Sequence, residues 1–239
     1  KKIAGANMRP ILLQGHTRSI TRVKYNRDGD LLFTVAKDST PCAWYSQTGE
    51  RLGVYGEGKS GHTGAVWDLD VNYDSTRLLT GAADNTARLW DVQSGREIFC
   101  FTHATPVRGV GFALGDAEFL TVQDNKMGRK PAVFVYDLPA DEAELRDEPR
   151  LEILGHTKAI TSAVWGPLNT HIFTSSEDGT VRLWDPKTGS QTGEITDHTK
   201  GVNEIQFAKD YSTFITASAD HTARLYDTAT LKCLKVYET

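Results

Sequence analysis

Apolar positions along this chain fall in short runs of three to six residues, separated by turns rich in Gly, Asp, Asn and Ser. The stretch 155–185, GHTKAITSAVWGPLNTHIFTSSEDGTVRLWD, contains one full cycle of the pattern. Ile160 to Trp165, a second run around Ile172 to Thr174, and Val181 to Trp184 each read as a strand, with the tight turn Asp178-Gly179 between the last two. A fourth run, Gln191 to Ile195, follows before the pattern restarts. The prediction is a unit of four short strands.

The unit is written five times. Its leading His stands at 16, 62, 103, 156 and 198, and its closing aromatic is Trp44, Trp90, Tyr136, Trp184 and Tyr226. From His to aromatic the interval is 28 in four units (16 to 44, 62 to 90, 156 to 184, 198 to 226) and 33 in the third (103 to 136). Closing aromatics follow one another at 46, 46, 48 and 42 residues, which suits the roughly 40 to 45 residues of a WD40 repeat, one four-stranded propeller blade. The fold class expected is therefore all-β, a WD40 β-propeller with five blades over residues 8–239, and residues 1–7 as an extension outside it. Outer strands are expected at Arg51 to Tyr55, Glu97 to Phe101, Leu151 to Leu154, Gln191 to Ile195 and Lys232 to Tyr237. Ile11 to Leu13 is then a surplus strand. In propellers such a strand closes the ring on the last blade, so the expectation is an incomplete ring, five blades of a probable seven.

Two segments break the period. Asn125 to Lys130 lengthens a turn in the third unit, and Asp141 to Arg150 (DEAELRDEPR) is a charged connection with too little apolar content to pack. Both are expected to be surface excursions, with Lys126, Arg129 and Lys130 the one place where RNA phosphate is conceivable. Composition narrows the rest. The chain has 239 residues, 39% of them hydrophobic, enough for a sizeable core, and a net charge of −4 that sets up no global field for nucleic acid or an anionic membrane. Cys42, Cys100 and Cys233 stand apart, which fits a reducing compartment. No apolar run approaches the roughly 18 residues of a membrane helix.

Each unit repeats a set of polar residues. These are His16, Thr34, Asp38 and Trp44; His62, Thr80, Asp84 and Trp90; His156, Thr174, Asp178 and Trp184; and His198, Thr216 and Asp220 with Tyr226. The third unit offers His103, Thr121, Asp124 and Tyr136. Thr, His and Asp are the parts of a hydrolytic triad, yet a set repeated at fixed spacing in every blade points to structure. The Asp would accept from its turn and from the His, the His would bridge to the Thr, and the indole would anchor the far end. No catalytic residues, cofactor or metal site are expected: histidines and cysteines form no ligand cluster. Gly53 to Ser60 has the wrong glycine spacing for a phosphate loop and no helix after it.

Some stretches carry more than the general repeat. Arg9-Pro-Ile-Leu-Leu-Gln-Gly-His16, Ile20-Thr-Arg-Val-Lys-Tyr-Asn26, Gly29 to Asp38, Trp44-Tyr45 with Gly49 to Gly53, Gly61-His-Thr-Gly-Ala-Val-Trp67 and Ile160 to Pro167 resemble subunit i of eukaryotic translation initiation factor three. The resemblance runs from Met8 to Thr239, departing at Glu57 to Ser60 and at 141–150. It implies a seven-bladed ring and a noncatalytic cytoplasmic scaffold that holds subunits b and g and supports assembly and scanning on the small ribosomal subunit. Subunit b would contribute a C-terminal helix, laid on a rim as an amphipathic helix. Direct RNA contact, membrane association and a homo-oligomer are not expected.

The Gly-His loops and turn aspartates belong to one rim, so hairpins joining first to second and third to fourth strands belong to the other. In the fifth unit those hairpins carry Asp210 and Asp227, which match the family pattern at the subunit b surface, with Tyr211 beside them. Asp227 also has a turn-capping reading, since Asp91, Asp137 and Asp185 occupy the same place. The rival reading is a general WD40 adaptor that binds a peptide on the Gly-His rim through Arg18, Lys37, Lys158, Glu177 and Lys200.

Overall fold

The computed structural model describes residues 10–56, 61–126 and 128–238. The 1–7 extension and the Glu57 to Ser60 insertion lie outside the described residues. Five antiparallel sheets follow one another, each with its strands in chain order. Blade one holds β1 (Ile20–Tyr25), β2 (Leu31–Ala36), β3 (Cys42–Tyr45) and β4 (Arg51–Val54). Blade two holds β5 (Val66–Val71), β6 (Arg77–Ala82), β7 (Thr86–Asp91) and β8 (Glu97–Thr102). Blade three holds β9 (Val107–Phe112), β10 (Glu118–Gln123), β11 (Ala132–Asp137) and β12 (Leu151–Leu154). Blade four holds β13 (Ile160–Trp165), β14 (Ile172–Ser176), β15 (Val181–Trp184) and β16 (Gln191–Ile195). Blade five holds β17 (Val202–Phe207), β18 (Thr213–Ser218), β19 (Thr222–Asp227) and β20 (Cys233–Glu238).

The first strands of all five blades line a central channel of about 970 Å³. Each of these strands carries a β-bulge near its start, at Thr21, Trp67, Arg108, Thr161 and Asn203. A bulge adds one residue against the partner strand and re-aims its side chain. Here it turns one side chain per blade towards the upper rim, where the Gly-His loops lie.

The core lies between sheets. Phe33 and Val35 of blade one pack on Leu69, Leu78 and Trp90 of blade two. Leu79 and Leu89 meet Phe119 and Tyr136, Leu120 and Val135 meet Trp165 and Ile172, and Phe173 and Leu183 meet Phe214 and Tyr226. Among the described residues no apolar cluster joins blade five to blade one. That seam is spanned by Arg22, whose guanidinium pairs with Glu204 at 3.0 Å and with Asp68 at 3.0 Å. The position filled by Phe33, Leu79, Leu120 and Phe173, at most 2% exposed, is Ile215 in blade five, at 38%.

Two expectations are corrected. Ile11 to Leu13 is not a strand: it pairs with none of the described strands. It is held instead by apolar contact, Leu13 against Leu32, Cys42 and Trp44, with Ile11 and Leu13 crowding Gly49, where a Cβ would lie 2.2 Å from the Ile11 side chain. The 141–150 connection is not a loose excursion. Asp141 caps a one-turn 3-10 helix over Glu142–Glu144, Leu145 is buried in the blade two and three core, and Asp147 accepts from the Thr102 amide at 2.7 Å. Arg150 pairs with Glu118 and Asp137. One buried leucine and a set of ion pairs suffice to dock a segment whose composition alone reads as solvated.

The asymmetry is measurable at one sheet position. Leu120→Ala, at a fully closed interface, is expected to cost about 2–5 kcal/mol, and Ile215→Ala under about 1 kcal/mol. Denaturant titration of both variants checks this, and equal losses would contradict the packing described.

Candidate functional site

The repeated polar set closes on itself in three blades and in part in a fourth. In blade two, Trp90 Nε1 donates to Thr80 Oγ1 at 2.8 Å, Thr80 meets His62 Nε2 at 2.7 Å, and His62 Nδ1 lies 3.0 Å from Asp84. A threonine oxygen that accepts from the indole gives its own proton to the imidazole, so Nδ1–H is left to donate to the carboxylate. Blade one repeats this with His16, Thr34, Asp38 and Trp44, and blade four with His156, Thr174, Asp178 and Trp184. In blade five His198, Thr216 and Asp220 keep their bonds, but Tyr226 turns its hydroxyl to Asp197 at 3.2 Å. Each aspartate also accepts from the amide after the histidine: Thr17, Thr63, Thr157 and Thr199.

Burial alone would raise these carboxyls, but hydrogen bonds outweigh it. Asp84 is held well below the usual carboxylate range by His62, Thr86 and Thr63, and Asp178 by Thr180, His156 and Thr157. Burial in turn lowers His62 and His156, so each pair rests as neutral imidazole and carboxylate. A neutral base locked to a permanently ionised acid, with the threonine proton already committed, has no activated nucleophile. The geometry is that of a fastener.

Blade three lacks it. Asp124 comes 21 residues after His103, whereas the other aspartates come 22 after theirs, and it faces inward to Arg108 Nε at 2.9 Å. Gln123 stands in for it on the Ala104 amide at 3.3 Å. Tyr136 reaches only 3.3 Å from His103 Nε2, and His103 Nδ1 is buried without a hydrogen bond. Burial takes His103 down to about 4, with the Phe101 carbonyl and Asp147 pulling weakly the other way. Arg129 and Lys130 stand exposed beside a pocket of about 450 Å³ that also holds Asp147 and Glu152.

The lower rim of blade five differs from the other four in a way that spacing does not reveal. The hairpin after the first strand holds positive-φ residues in every blade: Gly29 in blade one, Ser75 in two, Gly115 and Asp116 in three, Leu168 and Asn169 in four, and Tyr211 in five. The hairpin after the third strand holds another in blades one, two, four and five: Gly49, Gly95, Gly189 and Leu231. Blade four has one bulky residue so placed, Leu168 at φ +51, whereas blade five has one in each hairpin, at φ +57 and +56, where a left-handed residue costs roughly 1–2 kcal/mol. The two hairpins touch, Thr228 N donating to Ser212 O at 3.0 Å. Tyr211 and Leu231 line a pocket of about 420 Å³ with Phe173 and His171 of blade four. Asp210 caps its hairpin through Ser212, and Asp227 through Thr230; those bonds lower both carboxyls, so both are anionic.

Comparison with known proteins gives the kinship of this five-bladed chain. A family model described as EIF3I matches residues 8–239. The chain belongs to that family. A Xenopus tropicalis protein named eukaryotic translation initiation factor 3 subunit I is 46% identical over 189 residues, covering 79% of this chain and 57% of that relative. A protein of the same name from Drosophila erecta is 44% identical over 234 residues, 97% of this chain and 71% of the relative, and one from Aspergillus terreus is 42% identical over 190 residues. The chain spans little more than half the length of the first of these relatives. No helix among the described residues is long and apolar enough to cross a membrane.

Three outcomes are expected of the fasteners. Carboxyls held below their unfolded values add stability above about pH 4 that is lost as pH falls, and imidazoles lowered by burial add stability at neutral pH that is lost below about 6.5. The thermal midpoint should therefore decline below about pH 6.5 and more steeply below 4. Asp178→Asn should cost about 1–3 kcal/mol at neutral pH and shallow the acid limb. Hydrogen exchange should open blade three before blade four, since its histidine has no carboxylate. Equal protection of the two would contradict the ranking.

Proposed function

We propose that this chain acts as a noncatalytic scaffold in the translation initiation factor 3 complex in the cytoplasm. In this reading it holds subunits b and g and supports assembly and scanning on the small ribosomal subunit. Its kinship with subunit I proteins supports membership of such a complex. The observation that carries the partner surface is the lower rim of blade five. Two carboxylates, Asp210 and Asp227, flank Tyr211 and an apolar pocket on touching hairpins, and two bulky residues are kept there in a left-handed conformation. Strain retained at a surface turn is a mark of function. An amphipathic helix from subunit b, with basic residues beside an apolar one, suits such a surface in charge and shape.

Reversing both charges, Asp210→Lys with Asp227→Lys, should abolish co-elution with the C-terminal segment of subunit b. Both carboxylates are at the surface, so the thermal midpoint should move by only a few degrees. Unchanged co-elution would refute the assignment of this rim.

A further inference from the structure

The five bulge residues sit at one equivalent position, five after each leading histidine. In two blades this position has a structural task. Thr21 donates to Val66 O of blade two at 2.6 Å, and Thr161 donates to Val202 O of blade five at 2.6 Å. Each hydroxyl ties its blade to the next. Blades two and three give the position to Trp67 and Arg108, and the Arg108 Nε is taken by Asp124 within its own blade. The two side chains meet each other: the Arg108 guanidinium stands 5.0 Å from the centre of the Trp67 ring. Lys37, on the upper-rim turn of blade one, places its ammonium 6.0 Å from the same ring. Three neighbouring blades thus contribute one side chain each to a single cluster.

The missing fastener of blade three completes it. Because Asp124 arrives one residue early, it faces Arg108, holding Nε at 2.9 Å, with Lys126 Nζ at 3.6 Å from the same oxygen. Asp124 is only 2% exposed, so it orients the guanidinium without screening its outer edge, and Lys126 is half-exposed. Lys37, Arg108 and Lys126 carry three positive charges against this one carboxylate. The cluster has an excess of two positive charges on the rim of a chain whose net charge is −4. A guanidinium fixed by its Nε keeps two terminal nitrogens for a bidentate carboxylate. The Trp67 ring already has cations over it, so it offers packing area and no free platform for a stacked base.

We propose that this sector of the upper rim, Lys37, Trp67, Arg108 and Lys126, is a docking surface for an acidic, extended peptide. Its Asp or Glu side chains pair with Arg108 and Lys37 while its backbone packs over Trp67. The surface lies on the opposite rim from Asp210 and Asp227 and rests on different observations.

Fluorescence anisotropy of a fluorescein-labelled peptide alternating Glu and Gly, titrated with the full chain at low salt, tests it. Binding is expected, weakening as salt rises, and absent for the matching Gln and Gly peptide. Trp67→Ala and Lys37→Glu should each weaken binding at least tenfold, whereas Lys187→Glu on the lower rim and the Asp210→Lys, Asp227→Lys pair should not. Lys37 is exposed, so that variant decides the matter even if Trp67→Ala fails to fold. Equal affinity of the Lys37→Glu and Lys187→Glu variants, or tighter binding of labelled oligouridylate than of the Glu peptide, would overturn the proposal.

Discussion

A threonine hydroxyl buried in a sheet has one proton to give and lone pairs to fill, and an unfilled one costs roughly 1–3 kcal/mol. In this protein the second strand of every blade buries such a threonine, at most 2% exposed. The indole, imidazole and carboxylate around it satisfy all the groups at once in blades one, two and four. Strand register, the turn on the upper rim and the loop entering the blade are thereby locked together. The apolar faces on either side can then be flat and regular enough to pack sheet against sheet.

That locking explains which parts of the molecule were legible beforehand. His62, Thr80, Asp84 and Trp90 sit at fixed intervals because their hydrogen bonds have fixed lengths, so counting residues finds them. Counting fails where the bonds are made by something else. Asp124 looks like the next member of the series, yet a shift of one residue moves it from His103 to Arg108. Ile11 to Leu13 is a short apolar run, but such a run says nothing about whether an edge is there to receive it. Trp67 ends a stretch, 61–67, whose family resemblance hides what is particular to that position. Comparing the bulge position across blades, Thr, Trp, Arg, Thr, Asn, would have singled it out.

Tyr211 shows the reverse case, where sequence position placed the residue in its hairpin without revealing its backbone conformation. Its counterparts in the other blades are Gly29, Ser75, Asp116 and Asn169, smaller residues, with Leu168 before Asn169 also left-handed. The tyrosine ring is held by Phe207, 5.4 Å away. Asp227 serves its own turn through Thr230 as Asp91 does through Ser94. The capping and binding readings are compatible, because the cap uses one oxygen and leaves the other outward.

The joint between blades five and one is made differently from the rest. Four joints are oily and close whatever the solvent, while this one is an ionic latch between side chains over a third exposed, Arg22 and Glu204. Dissolved ions shield such a latch and leave hydrocarbon contacts intact. Among the described residues, the contact between blades five and one is therefore the one that rising salt loosens most.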